Sequence, residues 1–215
     1  PSATYTFVNG FNRGLPLNNT RNRPGEQLYA DNGDGVLNED DKRVIGTAQP
    51  DVSFGINSNF TYGNFEFSFF IDGQLGQDLV NVANFQLLAF DASQQLNTVL
   101  QAWTPENNSN VYPRLDALNS GASPFVFSDR FVEDASFVRL QNVTIGYNFK
   151  KEILDKLKLS QLNIFVSGTN LHVWTNYSGF NPDVSLTGSN TLALGHDNGG
   201  YPIARSIRMG LKLQF

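Results

Sequence analysis

The sequence predicts an all-β fold: a segment of an antiparallel transmembrane β-barrel with long outer loops and short helices. Three observations carry this reading. Apolar and polar side chains alternate over stretches of membrane-spanning length, which sorts them onto the two faces of a strand. The composition, 18 Phe and 7 Tyr against 1 Met, with 19 Gly and 16% charged residues, is that of an aromatic, turn-rich β chain rather than a helical enzyme. No apolar stretch approaches the roughly 18 residues of a transmembrane helix, so a membrane crossing falls to tilted strands of about 9–11 residues.

In chain order, Tyr5 to Val8 is a short apolar run that reads as the upper end of an ascending strand. Residues 9–50 are polar and dense in Asn, Gly and Asp. In 52–62, Val52, Phe54, Ile56, Phe60 and Tyr62 alternate with Ser53, Gly55, Asn57, Asn59 and Thr61. Gly63-Asn64 is a two-residue connection of the kind that closes tight hairpins. Phe65, Phe67, Phe69 and Ile71 then alternate with Glu66, Ser68 and Asp72, and Phe70 breaks the pattern. Residues 73–133 form a long excursion, with helical spacing from Val80 through Ala83, Phe85, Leu87, Leu88, Leu96, Val99 and Leu100 to Trp103, stopped by Pro105.

Val143, Ile145, Tyr147 and Phe149 alternate with Asn142, Thr144, Gly146 and Asn148. Residues 150–159 read as a short amphipathic turn of helix. Leu162, Ile164 and Val166 alternate with Asn163, Ser167 and Thr169, and Phe165 stands among the polar positions. Residues 176–202 are the last long loop. Finally, Ile207, Met209, Leu211, Leu213 and Phe215 oppose Ser206, Arg208, Lys212 and Gln214.

If Phe215 ends at the periplasmic rim, the Lys150 turn and the Gly63-Asn64 turn are periplasmic and all three long segments fall outside, as outer-membrane barrels require. About six spans are counted, whereas the smallest barrels of this type have 8 strands. An open sheet edge in hydrocarbon leaves unpaired N–H and C=O groups, so the remaining strands are expected from a longer parent polypeptide or another subunit. Pro1 accordingly reads as the start of a fragment or of a processed chain. The whole of 1–215 is expected to be one barrel portion, with an acidic loop at 26–46 within it.

Composition also excludes chemistry. Without cysteine there are no disulfides, thiolate metal sites or Cys nucleophiles. A net charge of −5 without a basic run gives no footprint for nucleic acid. No spaced set pairs a nucleophile with an activating base, so no enzyme is expected.

The acidic loop is the candidate metal site. Asn32, Asp34 and Gly35 fall at positions 3, 5 and 6 of a Ca²⁺ loop, the Val36 carbonyl at 7, Asn38 at 9 and Asp41 at 12. Position 1 is Ala30, so Asp31 would substitute through a shifted backbone. The competing reading is a solvated acidic turn capping a short helix after Leu37. Trp174, Tyr177 and Phe215 are expected at the membrane interface. Trp103, Tyr112 and Arg114 are candidates for contact with a ligand or a lid. His172 and His196 read as ordinary lumen or loop residues. Arg139 shares a side with Phe137 and Val143 by strict alternation, which a bulge or a position above the membrane would resolve.

Several motifs in order resemble the region near the carboxyl end of SusC/RagA-type TonB-linked transporters. They are Asp31-Asn-Gly-Asp-Gly-Val-Leu-Asn-Glu-Asp-Asp41 with Ile45-Gly46, Trp103-Thr-Pro-Glu-Asn107, Tyr112-Pro-Arg114, Val132-Glu-Asp-Ala-Ser-Phe-Val-Arg-Leu140, Gly168-Thr-Asn-Leu171, Tyr177-Ser-Gly-Phe-Asn-Pro-Asp183 and Tyr201-Pro202. The resemblance implies roughly the last quarter of a 22-stranded outer-membrane barrel that imports glycans or peptides. It also implies an internal plug, a SusD-like surface lipoprotein as lid, and coupling to TonB through the plug. Neither plug nor TonB box matches residues of this chain. In that setting Asn142, Thr144, Asn148 and Arg208 would line the path. A Ca²⁺-binding structural or adhesive outer-membrane protein and a soluble β-sandwich with a dockerin-like loop are the competing readings.

Overall fold

The computed structural model describes residues 3–4, 7–8, 28–29, 32–34, 39–41, 43–88, 97–108, 112, 129–184 and 194–215. In chain order these form β1 (Ala3–Thr4), β2 (Phe7–Val8), β3 (Leu28–Tyr29), β4 (Arg43–Val44), β5 (Val52–Tyr62), β6 (Phe65–Leu75), β7 (Asp78–Asn81), α1 (Val82–Leu88), β8 (Val132–Asp134), β9 (Phe137–Asn148), α2 (Lys151–Leu157), β10 (Gln161–Thr175), β11 (His196–Asp197) and β12 (Ser206–Gln214). Two compact units result. One combines residues 49–77, 134–183 and 200–215, the other 1–48, 78–133 and 184–199.

The first unit is a five-stranded antiparallel sheet in the order β12-β10-β9-β6-β5. Every strand lies beside its predecessor among these five, the layout that short connections impose on successive strands. Register converts the sequence alternation into rows. Phe60, Phe67, Ile145, Val166 and Met209 are directly opposed across all five strands, and Tyr62, Phe65, Tyr147, Ile164 and Leu211 form the next row. These side chains do not converge on an interior: Met209 is 79% exposed and Phe60 56% exposed. The opposite face carries Asn59, Ser68, Thr144, Ser167 and Arg208 in one row.

The two aromatics that broke the sequence pattern lie on this polar face. Phe165 stands directly across from Gly210, whose absent Cβ leaves room for the ring, and Phe70 reaches over Gly55. On the apolar face Phe54 likewise covers Gly73. In each pair the aromatic fills the gap that a strand glycine leaves.

β9 begins at Phe137, five residues before the alternation expected from Asn142. The cause is an irregularity at Gln141. Asn142 pairs with Phe70 and Leu140 with Ile71, leaving Gln141 extra; on the other side β10 places Asn170 and Leu171 opposite it. Asn170 takes a left-handed φ of 53°, a conformation Asn tolerates better than most residues. The extra residue reverses the parity of β9, so a strict period of two misassigns everything above it.

Both short connections lie at one end of the sheet. Gly63, at φ 59°, occupies the first central position of the hairpin, where a type II′ turn takes glycine. α2 ends on Lys158 in the left-handed region, with its N–H on the Asp155 carbonyl and the Leu159 N–H on the Leu154 carbonyl. This closes the helix in the manner of a Schellman cap.

In the second unit β7 pairs in parallel with β11 and adjoins β8. Asn81 caps α1 through its Oδ1, which accepts the Asn84 N–H at 2.8 Å, and Phe85 meets the buried Phe131 edge-on. The helical spacing anticipated from Val80 to Trp103 is therefore divided, with Val80 in β7, α1 at Val82–Leu88 and a 3-10 turn at Asn97–Gln101. The sixth span anticipated at Tyr5 to Val8 is described only at Phe7–Val8, which pairs with Leu28–Tyr29 in a separate sheet. Five strands, not six, thus share the large sheet among the described residues.

Gly73→Ala would set a Cβ 2.6 Å from the Phe54 ring and 2.8 Å from the Phe137 carbonyl, whereas a Cβ on Gly146 meets nothing nearer than 3.4 Å. Overpacking of this kind costs about 1–3 kcal/mol. Thermal unfolding of the parent receptor should therefore show a lower midpoint for Gly73→Ala than for Gly146→Ala.

Candidate functional site

The polar face of the sheet is the candidate site, and its side chains are already organised. Glu66 Oε1 accepts from Asn148 Nδ2 at 2.7 Å, and Asn148 Oδ1 accepts from Asn163 Nδ2 at 2.8 Å. Asn64 Nδ2 donates to the Asn148 carbonyl at 2.5 Å. This relay ties β6, β9 and β10 together at the hairpin end. Asn142, Thr144, Asn148 and Arg208, expected on one surface, do share this face by register. What they present is amide, hydroxyl and guanidinium groups, suited to hydrogen-bonding a polar solute.

Near the other end sits Arg139. Because Gln141 resets the alternation, Arg139 lies directly across from Asp72 on the polar face, away from Val143. Its Nε donates to Asp72 Oδ1 at 3.1 Å and its Nη2 to Asp72 Oδ2 at 2.5 Å, a two-pronged pairing that fits the planar guanidinium. Nη1 reaches Asp183 Oδ2 at 3.3 Å, and the guanidinium lies over the Phe137 ring.

Asp183 belongs to the segment that follows β10, which is fastened at two further points. Gln77 Nε2 donates to the carbonyls of Ala135 and Pro182, and Thr175 Oγ1 donates to the Ser136 carbonyl and accepts the Tyr177 N–H. Residues 175–183 are thus a strap against the ends of β6 and β9. Gln77, Asp72 and Asp183 escaped attention in the sequence. Asp72 and Asp183 could have been found only by asking what neutralises Arg139.

The expected interface residues divide. Trp174 is 51% exposed on the apolar face, opposite Val138 and edge-on to His172, and Phe215 is exposed. Tyr177 is 5% exposed, enclosed by the strap, and its ring has no surface to offer lipid, which corrects its assignment to the girdle. His172 also moves: its register partner is Leu140, so it stands on the apolar face rather than in a lumen or loop.

Trp103 and Tyr112 are brought together, with the Trp103 N–H on the Tyr112 carbonyl at 3.0 Å. The indole N–H of Trp103 donates to Asn108, and Arg130 stacks over the Tyr112 ring at 4.9 Å. Burial pulls the Arg130 guanidinium below its ordinary pKa, with Tyr112 opposing. Arg114 lies outside the described residues.

Of the acidic loop, Asn32, Asp34 and Asp41 are described, while Asp31, Val36 and Asn38 lie outside the described residues. The buried Asp41 returns to the start of the loop, its Oδ1 accepting the Asn32 N–H at 2.7 Å, and Asn32 Oδ1 accepts the Asp34 N–H at 2.9 Å. Among the described residues no three His, Cys, Asp or Glu side chains converge as for a metal.

Comparison with known proteins gives a consistent result. The chain is 32% identical over 197 residues to the TonB-dependent receptor P3 of Formosa agariphila, which covers 89% of this chain and 19% of that protein. It is 29% identical over 199 residues to the TonB-dependent receptor SusC of Bacteroides thetaiotaomicron, covering 90% of this chain and 18% of the relative. The chain belongs to the SusC/RagA-type TonB-dependent receptors. It spans about a fifth of the length of these relatives. The solved RagAB peptide transporter matches the whole chain and 22% of its own with a TM-score of 0.75 at 19% identity, and the closed-closed RagAB importer does so at 0.74 and 20%. No family model matches. The likeness to RagAB shows that the open five-stranded sheet is a barrel fold.

Replacing Arg139 with Leu leaves the Asp72 carboxylate without its cation, at a cost of about 1.5–3 kcal/mol for lost charge-assisted hydrogen bonds. Asp183→Asn, at a carboxylate 41% exposed, should cost less than about 1 kcal/mol. Thermal unfolding of the parent receptor gives the ranking, and protease cleavage within residues 177–183 should rise in both variants.

Proposed function

We propose that this chain forms part of the wall of an outer-membrane TonB-dependent importer of glycans or oligopeptides, contributing strands and outer loops rather than catalysis. The observation that carries the reading is the sheet itself. Five strands of 9 to 15 residues expose apolar rows on one face and hydrogen-bonding rows on the other. Strands of that length match the hydrocarbon thickness, and a barrel wall is the structure in which one face is greasy and the other wet. On this reading the rest of the wall and the plug come from the parent protein, TonB acts through the plug, and a SusD-like lipoprotein covers the outer mouth. Trp174 and Phe215 anchor the wall at the two interfaces. The segments with Trp103, Tyr112 and Arg114 are outer-loop contacts for solute or lid.

Ca²⁺ in the acidic loop is part of the same proposal. Asn32, Asp34 and Asp41 offer the hard oxygens, and the return of Asp41 to Asn32 brings positions 3 and 12 together. Titration calorimetry of the folded receptor should show heat with Ca²⁺ that Asp34→Asn with Asp41→Asn abolishes; no heat at millimolar Ca²⁺ removes the ion from the account.

The wall reading is tested by a matched pair of substitutions. Val166→Arg places a charge in the middle of an apolar row and should cost about 2–4 kcal/mol in a bilayer. Ser68→Arg, on the polar face between the uncharged Asn59 and Thr144, should fold normally. Heat-modifiable gel mobility of the parent receptor in outer membranes compares the two. Equal tolerance would refute a lipid-facing wall. Loss of uptake of labelled glycan or peptide on deleting the receptor then assigns the solute class.

A further inference from the structure

We infer that the strand completing the sheet along the open edge of β12 carries inward-facing carboxylates opposite Arg208 and Lys212. The inference rests on the wall reading above and goes beyond it by naming the chemistry of the missing neighbour. Arg208 and Lys212 stand on the same polar face of β12, four residues and so roughly 13 Å apart. Across the β10 side their register partners are Ser167 and Asn163, neither of them an acid. The Asn163 amide is committed to Asn148, and the acids of this face, Glu66 and Asp72, are engaged by Asn148 and Arg139. Among the described residues neither the Arg208 nor the Lys212 side chain has a hydrogen bond or ion pair.

The space between the two cations on the β10 side is taken. Phe165 is the partner of Gly210, the residue between them, and its ring occupies the volume above that glycine. Both exposed side chains are open to the far edge of β12, which has no neighbour in the sheet order among the described residues. In a bilayer that edge must be hydrogen-bonded by another strand, since unpaired backbone groups in hydrocarbon cost several kcal/mol each. Residues directly opposite on adjacent strands have Cβ atoms about 4.5–5.5 Å apart; opposite charges there are favourable and like charges are not. Two cations at a spacing of four therefore call for Asp or Glu at a spacing of four on the neighbour. Such a pattern also fixes register, because a slip of one residue moves every carboxylate to the lipid side.

The test uses the full-length receptor in outer membranes and a zero-length carbodiimide. The reagent activates a carboxyl group, the Lys212 amine displaces it as an amide, and the reagent leaves as its urea. Peptide mapping by mass spectrometry should locate the link on an Asp or Glu of the strand beside β12. Arg208→Lys should add a second link four residues along that strand. Both links should vanish in heat-denatured protein, and Lys212→Arg should remove only the first. Links to an interior segment, or none in protein that still shows heat-modifiable mobility, overturn the inference while leaving the wall reading intact. Absence of heat-modifiable mobility in the wild-type receptor would instead overturn the wall reading.

Discussion

On the proposed reading of the sheet as a barrel wall, backbone N–H and C=O groups have no water to turn to in hydrocarbon, and this single constraint organises the sheet. It requires each strand to be paired along both edges, which β6, β9 and β10 achieve among the described residues and β5 and β12 do not. It also dictates which residues are allowed where a strand cannot run regularly. At the Gln141 irregularity the chain uses Asn170 at positive φ, a residue able to hold that conformation and to satisfy a backbone carbonyl with its side chain, here that of Ala204.

On the same reading, the constraint explains why the apolar face can be so simple. Once hydrogen bonding is settled within the sheet, apolar bulk is all the outer face requires, and the rows of Phe, Ile, Val, Met and Leu supply it without any jigsaw fit. The polar face, by contrast, carries hydrogen bonds of its own between side chains of different strands. The Glu66, Asn148 and Asn163 relay and the Arg139, Asp72 and Asp183 cluster supply them at opposite ends of the sheet. The middle row is small and uncharged over Asn59, Ser68, Thr144 and Ser167 and ends on Arg208.

Much of the sheet was legible in the sequence because a period of two is a local property: β5, β6 below Phe70, the lower part of β9, and β12 all followed from alternation alone. Order and connection end followed too, since short and long segments alternate. Legibility ended where the period slips. The awkward place of Arg139 under strict alternation asked for a bulge, which the structure supplies at Gln141, but nothing in Leu140-Gln141-Asn142 marks where the extra residue sits, and β9 was cut short. Phe165 and Phe70 looked like noise until Gly210 and Gly55 lay beneath them, because a cross-strand pairing across 45 residues is invisible to a window of ten. Tyr177 was misread for a related reason: its position just after a strand suggested the interface, but the side-chain bonds of Thr175 and Gln77 decide that the chain turns back on itself there.

The Arg139 cluster shows how the sheet and the strap after β10 are coupled. Ion pairs that are fully exposed contribute little. Arg139 is different because it is nearly covered, serves two carboxylates from different parts of the chain, and rests on Phe137. Removing either acid would leave it half satisfied in a place that water reaches poorly, so Asp72 on the wall and Asp183 on the strap stabilise one another's arrangement through it. The strap is thereby held by a wall strand rather than by its own short sequence.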